Sequence, residues 1–305
     1  MSSDRRPRFK RASAVPIQVT TRDREIIRQI HCHRFLRSSH IVALIGGSEQ
    51  QILRRMQLLY HHGFLERPRS QLRYYERGAS REIVYGLANK GGELLRRELG
   101  IAIGSFAWSE KNHTIGRVYL DHALLVSDIM VTIELACRKY GKVRLLHQGD
   151  LGLQLKQGRL QWQGTMRNGK KFGPTPDRLF AVEYQDENGQ SKRVHYFLEA
   201  DRGTMPVTRK NQSQTSFQRK LQAYHAAWVQ DLHRTQLGFH RFRVLTVTTI
   251  SKRVHSLVEA CSQLESGYGL FLFADKSILL EDILSAEWQG GKPDTVARMM
   301  DSNGS

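Results

Sequence analysis

Three carboxylates are spaced so that one β-hairpin would gather them. Asp177 follows Pro176, and Glu199 and Asp201 close the run VHYFLEAD at 194–201. Between them, Asn188-Gly189 is a strong hairpin-turn signal. Glu199 and Asp201 share one face, because strand side chains alternate. A strict two-residue turn sets Asp177 opposite Ala200, on the wrong face. A three- or five-residue loop, or one β-bulge, corrects the parity, and one of these is expected. Converging carboxylates repel and raise one another's pKa, which a divalent cation relieves. Oxygen-only donors suit Mg²⁺ or Mn²⁺. Such an ion positions a phosphate, lowers the pKa of a water and stabilises a leaving oxygen. The competing reading pairs each acid with an arginine, Arg178, Arg202 or Arg209.

A helix is expected over 216–231, with Phe217, Leu221, Tyr224 and Trp228 at helical spacing. Lys220 borders that stripe and could reach the carboxylates; alternatively it snorkels from a core edge. Lys210 and Arg209 are its rivals. Tyr196 and Tyr224 sit in apolar patterns and read as core. His31-Cys32-His33 belongs to a helix, where i and i+2 share no face. His61-His62 reads as a helix end before Gly63. No phosphate-binding GxxxxGK[ST] run occurs, so no ATP motor is expected.

The chain has 47 basic and 29 acidic residues among 305, a net charge of +18. A polyanionic partner follows, since phosphate contacts gain from counterion release. Residues 1–105 hold 20 basic and 9 acidic residues, a net of +11. The composition is globular, and no run approaches a membrane span, so no membrane partner is expected. No apolar stretch follows the basic start, so no secretory signal is read there. Cys32, Cys137 and Cys261 are odd in number and far apart, which argues against a disulfide framework or a CxxC zinc site. A reduced bacterial cytoplasm is the expected location.

The elements that must present these residues fall into two domains. Residues 1–19 are expected as a flexible basic arm and 20–104 as a winged helix-turn-helix. A connector near 104–114 leads to an α/β domain at 115–290, and 291–305 form a flexible tail. In the first domain, Thr20 or Thr21 caps a helix carrying Ile26, Ile27, Ile30 and Phe35. Ser38-Ser39 caps a short second helix, which ends at Gly46-Gly47. Ser48 starts a third, with Ile52, Leu53, Met56, Leu59 and Tyr60 as its apolar stripe. A strand at Phe64-Leu65, a basic stretch and a strand at 82–87 follow, then a helix through Leu94, Leu95 and Leu99. The segment LLYHHGFLERP…IVYGLANKGGELL resembles the wing of bacterial winged-helix regulators. In such a module the third helix enters the major groove. Candidate DNA contacts there are Ser48, Gln50, Gln51, Arg54, Arg55 and Gln57. Arg67, Arg69, Arg73, Arg77 and Arg81 would track the backbone. A winged helix that binds protein is the alternative.

In the second domain, 117–139 reads as one long helix and 143–147 as a strand. A Gly- and Gln-rich meander then runs to Pro176. Beyond the hairpin, 242–250 reads as a buried strand, 254–264 as a helix and 270–273 as the last strand.

Pro176-Asp177, about twenty residues, then Glu199-x-Asp201 resembles the PD-(D/E)xK signature of restriction-endonuclease-like nucleases. It departs where the usual lysine is Asp201; in some members the lysine sits on the following helix, the place of Lys220. More widely, TPDRLF…YFLEADRGTMPVTR…QRKLQAY…FRVLTVTTISKRVHSLVEA…FLFADKSIL resembles the replication-relaxation family of mobile elements. With the winged helix, the chain is similar to the MobC class of plasmid relaxases. The resemblance implies binding to double-stranded DNA at a transfer origin and metal-dependent nicking of one strand. It also implies work beside a coupling protein and accessory mobilization proteins. The family often carries a histidine and an acid on the first helix of the nuclease domain. His122, Asp128 and Glu134 are the candidates, against the reading of plain helix-surface groups. A non-catalytic DNA-binding regulator on a degenerate nuclease fold is the second reading. A double-strand endonuclease with the same site residues is the third.

Overall fold

The computed structural model describes residues 9–12, 16–72, 82–100, 108–153, 155–156, 159–160, 162–165, 169, 171–186, 188–209 and 215–301. The chain divides into two compact units, Met1–Val131 and Thr132–Ser305. The architecture is mixed α+β. Among the described residues it has nine α-helices and a mixed seven-stranded sheet. No described helix is long and apolar enough to cross a membrane.

The first unit opens with α1 (Thr21–His33), capped by Thr20, whose hydroxyl accepts from Asp23 N while Asp23 accepts from Thr20 N. Ile26, Ile27 and Ile30 are fully buried. Phe35 does not continue this helix. Arg34 adopts a left-handed φ of 72°, and Phe35 opens β1 (Phe35–Arg37). α2 (Ser38–Ile45) begins at Ser38 with Arg37 in the cap position, so the serines lie inside the helix and do not cap it. α3 (Glu49–His61) has Ser48 as its cap and ends before Gly63, as its sequence predicts. β2 (Leu65–Glu66) and β3 (Val84–Leu87) complete a three-stranded antiparallel sheet in the order β1-β3-β2. Residues 73–81, with Arg73, Arg77 and Arg81, lie outside the described residues. α4 (Asn89–Leu99) passes so close to Phe64 that a Cβ on Gly91 would meet its carbonyl oxygen at 2.3 Å. Only glycine fits there.

The expected connector is in part a packed helix, α5 (Trp108–Thr114). Its buried Asn112 donates to Leu87 O at 2.7 Å. The expected arm is likewise tied down at Arg11, which binds the carbonyls of Tyr60 and Leu65 and the carboxylate of Glu66. α6 (Arg117–Lys139) runs through the division of the chain. In the first unit, its Leu120, Ala123 and Leu124 pack with Phe35 and Val84.

The second unit holds β4 (Val143–His147) and a meander of four short strands, β5 (Leu155–Lys156), β6 (Arg159–Leu160), β7 (Gly164–Thr165) and β8 (Lys171–Phe172). β9 (Arg178–Gln185), β10 (Ser191–Asp201), α7 (Phe217–Val229), α8 (Leu232–Thr235), β11 (Phe242–Thr248), α9 (Ser251–Ser262) and β12 (Phe271–Asp275) follow. Two further strands, β13 (Trp288–Gly290) and β14 (Val296–Ala297), extend the sheet past the expected last strand. Its order is β14-β13-β12-β11-β10-β9-β4, with β10, β11 and β12 parallel. Within the expected flexible tail, Val296 and Ala297 are therefore paired into the sheet. Met299 is fully buried, and Tyr196 donates its hydroxyl to Met299 O at 2.5 Å. Phe197 of β10 packs with Phe217, Leu221 and Tyr224 of α7, Leu257 of α9 and Trp162 of the meander.

Buried polar groups fix the first unit as firmly as its apolar stripe does. Asp23 is fully buried; burial raises its pKa, yet the Arg55 guanidinium and Thr20 outweigh this and hold it below the usual carboxylate range. Arg55 Nε donates to Asp23 Oδ1 at 2.8 Å. Removing one partner of a buried pair costs about 3–5 kcal/mol, whereas an exposed change is within about 0.5. Arg55→Ala is expected to lower the unfolding free energy by that larger amount and Arg54→Ala by the smaller, in urea titrations. Equal effects would contradict the pairing.

Candidate active site

The parity of the hairpin is set by its loop. Gln185 pairs with Ser191, so five residues, 186–190, lie between the strands. Asp186 closes that loop: its Oδ1 accepts from Asn188 N and Gln190 N, each at 2.9 Å. Leu198 then pairs with Arg178, and Asp177 N donates to Leu198 O at 2.9 Å. Continuing this register places Asp177 across from Glu199, on the same face, as a five-residue loop requires. Trp162 Nε1 donates to Pro174 O at 2.8 Å, and its ring stacks on Phe197. The meander thus braces the segment entering Asp177.

Glu199 is 2% exposed. Lys220 Nζ lies 2.5 Å from its Oε2, and Tyr224 donates its hydroxyl to Oε1 at 2.7 Å. Ser216 caps α7, so Lys220 and Tyr224, four residues apart, project from one helix face onto the same carboxylate. Burial pushes the Glu199 carboxyl up to about 7; Lys220 opposes this and the Asp177 charge adds to it. Burial disfavours the Lys220 ammonium, but Glu199, Asp177 and Asp201 together raise its pKa above the ordinary value. Burial and Glu199 hold the Tyr224 hydroxyl well above its ordinary range, so it remains a donor.

Asp201 is placed differently from the expectation. Arg253, in the first turn of α9, grips it with Nε on Oδ2 and Nη2 at 3.2 Å from Oδ1, and Gly203 N donates to Oδ1 at 3.1 Å. Arg253 also holds Met205 O, and Gly203 takes a φ of 72°. The competing reading gave these acids arginine partners among Arg178, Arg202 and Arg209; Glu199 takes Lys220, and Asp201 takes Arg253. Arg209 donates to Thr215 O, and Lys210 lies outside the described residues.

Asp177 and Glu199 are the residues here that could hold a divalent cation. Asp177 and Glu199 bring oxygen donors together at the hairpin end, and Glu199 ionises only against burial and the Asp177 charge. A dication would relieve that repulsion. Asp201 differs in that its charge is matched by the Arg253 guanidinium, with Gly203 N donating to its Oδ1.

A family model described as replication-relaxation matches residues 27–241, more than half of the chain. The chain belongs to the replication-relaxation family. No curated protein and no solved structure matches it. Membership suggests a role in the replication or mobilization of a mobile element.

The candidates on the first helix of the second domain have partners of their own within each unit. His122 and Asp128 lie in the first unit, where Asp128 pairs with Arg37 and stands 3.1 Å from His40 Nε2. Glu134 pairs with Arg138 and lies 3.4 Å from His147. His147 registers with Phe180, which registers with Tyr196, so it belongs to the sheet face opposite Glu199. Among the expected DNA contacts, Arg55 is bound to Asp23. Arg67 is buried between Tyr60 and Tyr85 and donates to the Tyr85 hydroxyl. Gln51 accepts from Arg22, and Ser48 caps α3. Gln50, Arg54, Gln57 and Arg69 are exposed.

Sequence reasoning missed Arg253 and the bond from Tyr224. The parallel pairing of β10 with β11 sets both strand ends at one edge, so the helix after β11 begins beside Asp201. An alternation of buried strands and helices could have pointed to that helix start.

An acid whose folded pKa exceeds its unfolded value stabilises the fold below the unfolded pKa and loses that contribution as pH rises through the folded one. For Glu199 that window runs from the ordinary carboxylate value of 4.5 to about 7. In metal-free buffer, Glu199→Gln is expected to match wild type at pH 4.5 and to be roughly 3 kcal/mol more stable at pH 8. Urea titrations at the two pH values check this; a difference independent of pH would contradict it.

Proposed function

We propose that the protein is a DNA-nicking relaxase of a mobile element, docking through a winged helix and cleaving one strand by metal-dependent hydrolysis. The observation that carries this is Glu199, buried against Lys220 and Tyr224 at a hairpin end shared with Asp177. Strongly perturbed carboxylates with a specific charge partner mark candidate active sites. Family membership and the net charge of +18 point to nucleic acid as the substrate.

Asp177 and Glu199 are the residues that would hold Mg²⁺ or Mn²⁺. The bound ion would supply charge stabilisation to the phosphate and acidify a water. Lys220 is placed to face the charge that builds on the phosphate oxygens. Tyr224 keeps Glu199 in one orientation by donating to Oε1. Arg253, through Asp201 and the Met205 carbonyl, anchors the strand end and the segment leaving it. Hydrolysis consumes one water: its oxygen bonds to phosphorus, one ester P–O bond breaks, and the departing oxygen takes a proton. The partners this reading implies are a duplex transfer origin, accessory mobilization proteins and a coupling protein.

One observation favours the second reading, a regulator without catalysis. The position after Glu199-x holds Asp201, whose charge is consumed by Arg253. A supercoiled plasmid bearing the element's own transfer origin separates the readings. Wild-type protein with Mg²⁺ or Mn²⁺ should yield open circles, none with EDTA. Asp177→Asn should abolish them, and Lys220→Met should slow them about 10²-fold. Linear product would instead mark a double-strand endonuclease. Binding without cleavage under either metal, with accessory proteins present, would leave the regulator.

A further inference from the structure

Helix α3 presents a face that differs from its expected pattern. Leu53 was expected in the apolar stripe with Ile52 and Met56. Ile52, Met56 and Leu59 are fully buried, but Leu53 is 39% exposed. Residues 50, 53, 54 and 57 follow the i, i+3, i+4, i+7 spacing of one helix face. That face carries Gln50, Leu53, Arg54 and Gln57, with Glu49 at its N-terminal edge. The three polar side chains have no partner among the described residues. By contrast Gln51 and Arg55, which point around the helix from this stripe, are engaged by Arg22 and Asp23. A single exposed leucine is ordinary. This one lies in the middle of a stripe of free amide and guanidinium groups, on a unit whose first 105 residues carry a net charge of +11.

We infer that Leu53 is a specificity-determining residue that reads a thymine methyl in the major groove of duplex DNA, between base contacts made by Gln50, Arg54 and Gln57. The major groove is where this mixture has a use. Glutamine matches the paired donor and acceptor of adenine, arginine the two acceptors of guanine, and an apolar side chain the C5-methyl of thymine. Phosphate contact alone needs cations and has no place for leucine. The preferred duplex therefore contains a thymine flanked by purines that the polar side chains read. Arg55 and Arg67 make no part of this readout, being consumed inside the fold.

This rests on the proposed docking of the first unit on duplex DNA, and the test keeps the two apart. Duplexes enriched from a random pool by the full-length protein are resynthesised with deoxyuridine at one thymine at a time, which removes only the methyl. Wild-type protein should bind about fourfold more weakly at one such position, the worth of one buried methyl group. Leu53→Ala should bind the thymine and deoxyuridine duplexes equally. Its unfolding transition should coincide with wild type, and Leu53→Gln serves if it does not. A methyl sensitivity that Leu53→Ala and Leu53→Gln leave unchanged, or its absence at every thymine of a sequence-specific site, would overturn the inference while leaving the docking intact. Failure to enrich any duplex would overturn the docking itself.

Discussion

Glu199 is a carboxylate that water barely reaches, and the surrounding elements are arranged to tolerate it. An isolated buried charge costs several kcal/mol unless it is paired and hydrogen-bonded. Here the pairing needs α7 to start where it does, because Lys220 and Tyr224 must come from one helix face. It needs the five-residue loop, because a one-residue slip would turn Glu199 away from Asp177. It needs Arg253, because Asp201 two residues on would otherwise add a third uncompensated charge. The compensation is incomplete: burial outweighs the help of Lys220 and Tyr224, and the Glu199 carboxyl stays pushed up to about 7. A fold that needed only stability would do better with apolar side chains. That residual imbalance is the physical ground for reading the cluster as a working centre.

The first unit applies the same rule to a different end. Its excess of arginine invites the idea that every guanidinium faces phosphate. Arg55 is instead consumed by a buried aspartate that also caps α1, and Arg67 lies among aromatic rings. Positive charge counted along a sequence thus overstates the charge a partner meets. What remains outward on α3 is polar and apolar together, a composition suited to reading an edge pattern more than to neutralising a backbone.

Much of this was legible in the residues. Asn188-Gly189 announced the hairpin, and the parity of Asp177 against Glu199 demanded an odd loop; Asp186 supplies it by accepting two backbone N–H groups. The long helix at 117–139 and the strand at 143–147 follow directly from their apolar periodicity. Its position on a helix edge put Lys220 within reach of the acids, with snorkelling from a core edge as the alternative and Lys210 and Arg209 as rivals. Long-range pairing was not legible. Arg253 reaches Asp201 only because two parallel strands end together, a fact of topology that no local pattern encodes. Leu53 looked like core because hydropathy does not record which side of a helix is covered. Phe35 fits the spacing of α1, but Arg34 breaks the helix with a left-handed backbone that its residue type does not favour. The strands β13 and β14 are two or three residues long, too short to carry an alternation.

The central claim is that Asp177 and Glu199 form a divalent-cation centre held by Lys220, and calorimetric titration of the apoprotein with Mn²⁺ tests it most directly. Wild type should bind the ion with release of protons near neutral pH, as Glu199 ionises, and Asp177→Asn should abolish that binding. Asp201→Asn should retain it. Absence of Mn²⁺ binding in wild type, or binding indifferent to Asp177→Asn, would reduce the cluster to a buried ion pair and contradict the account.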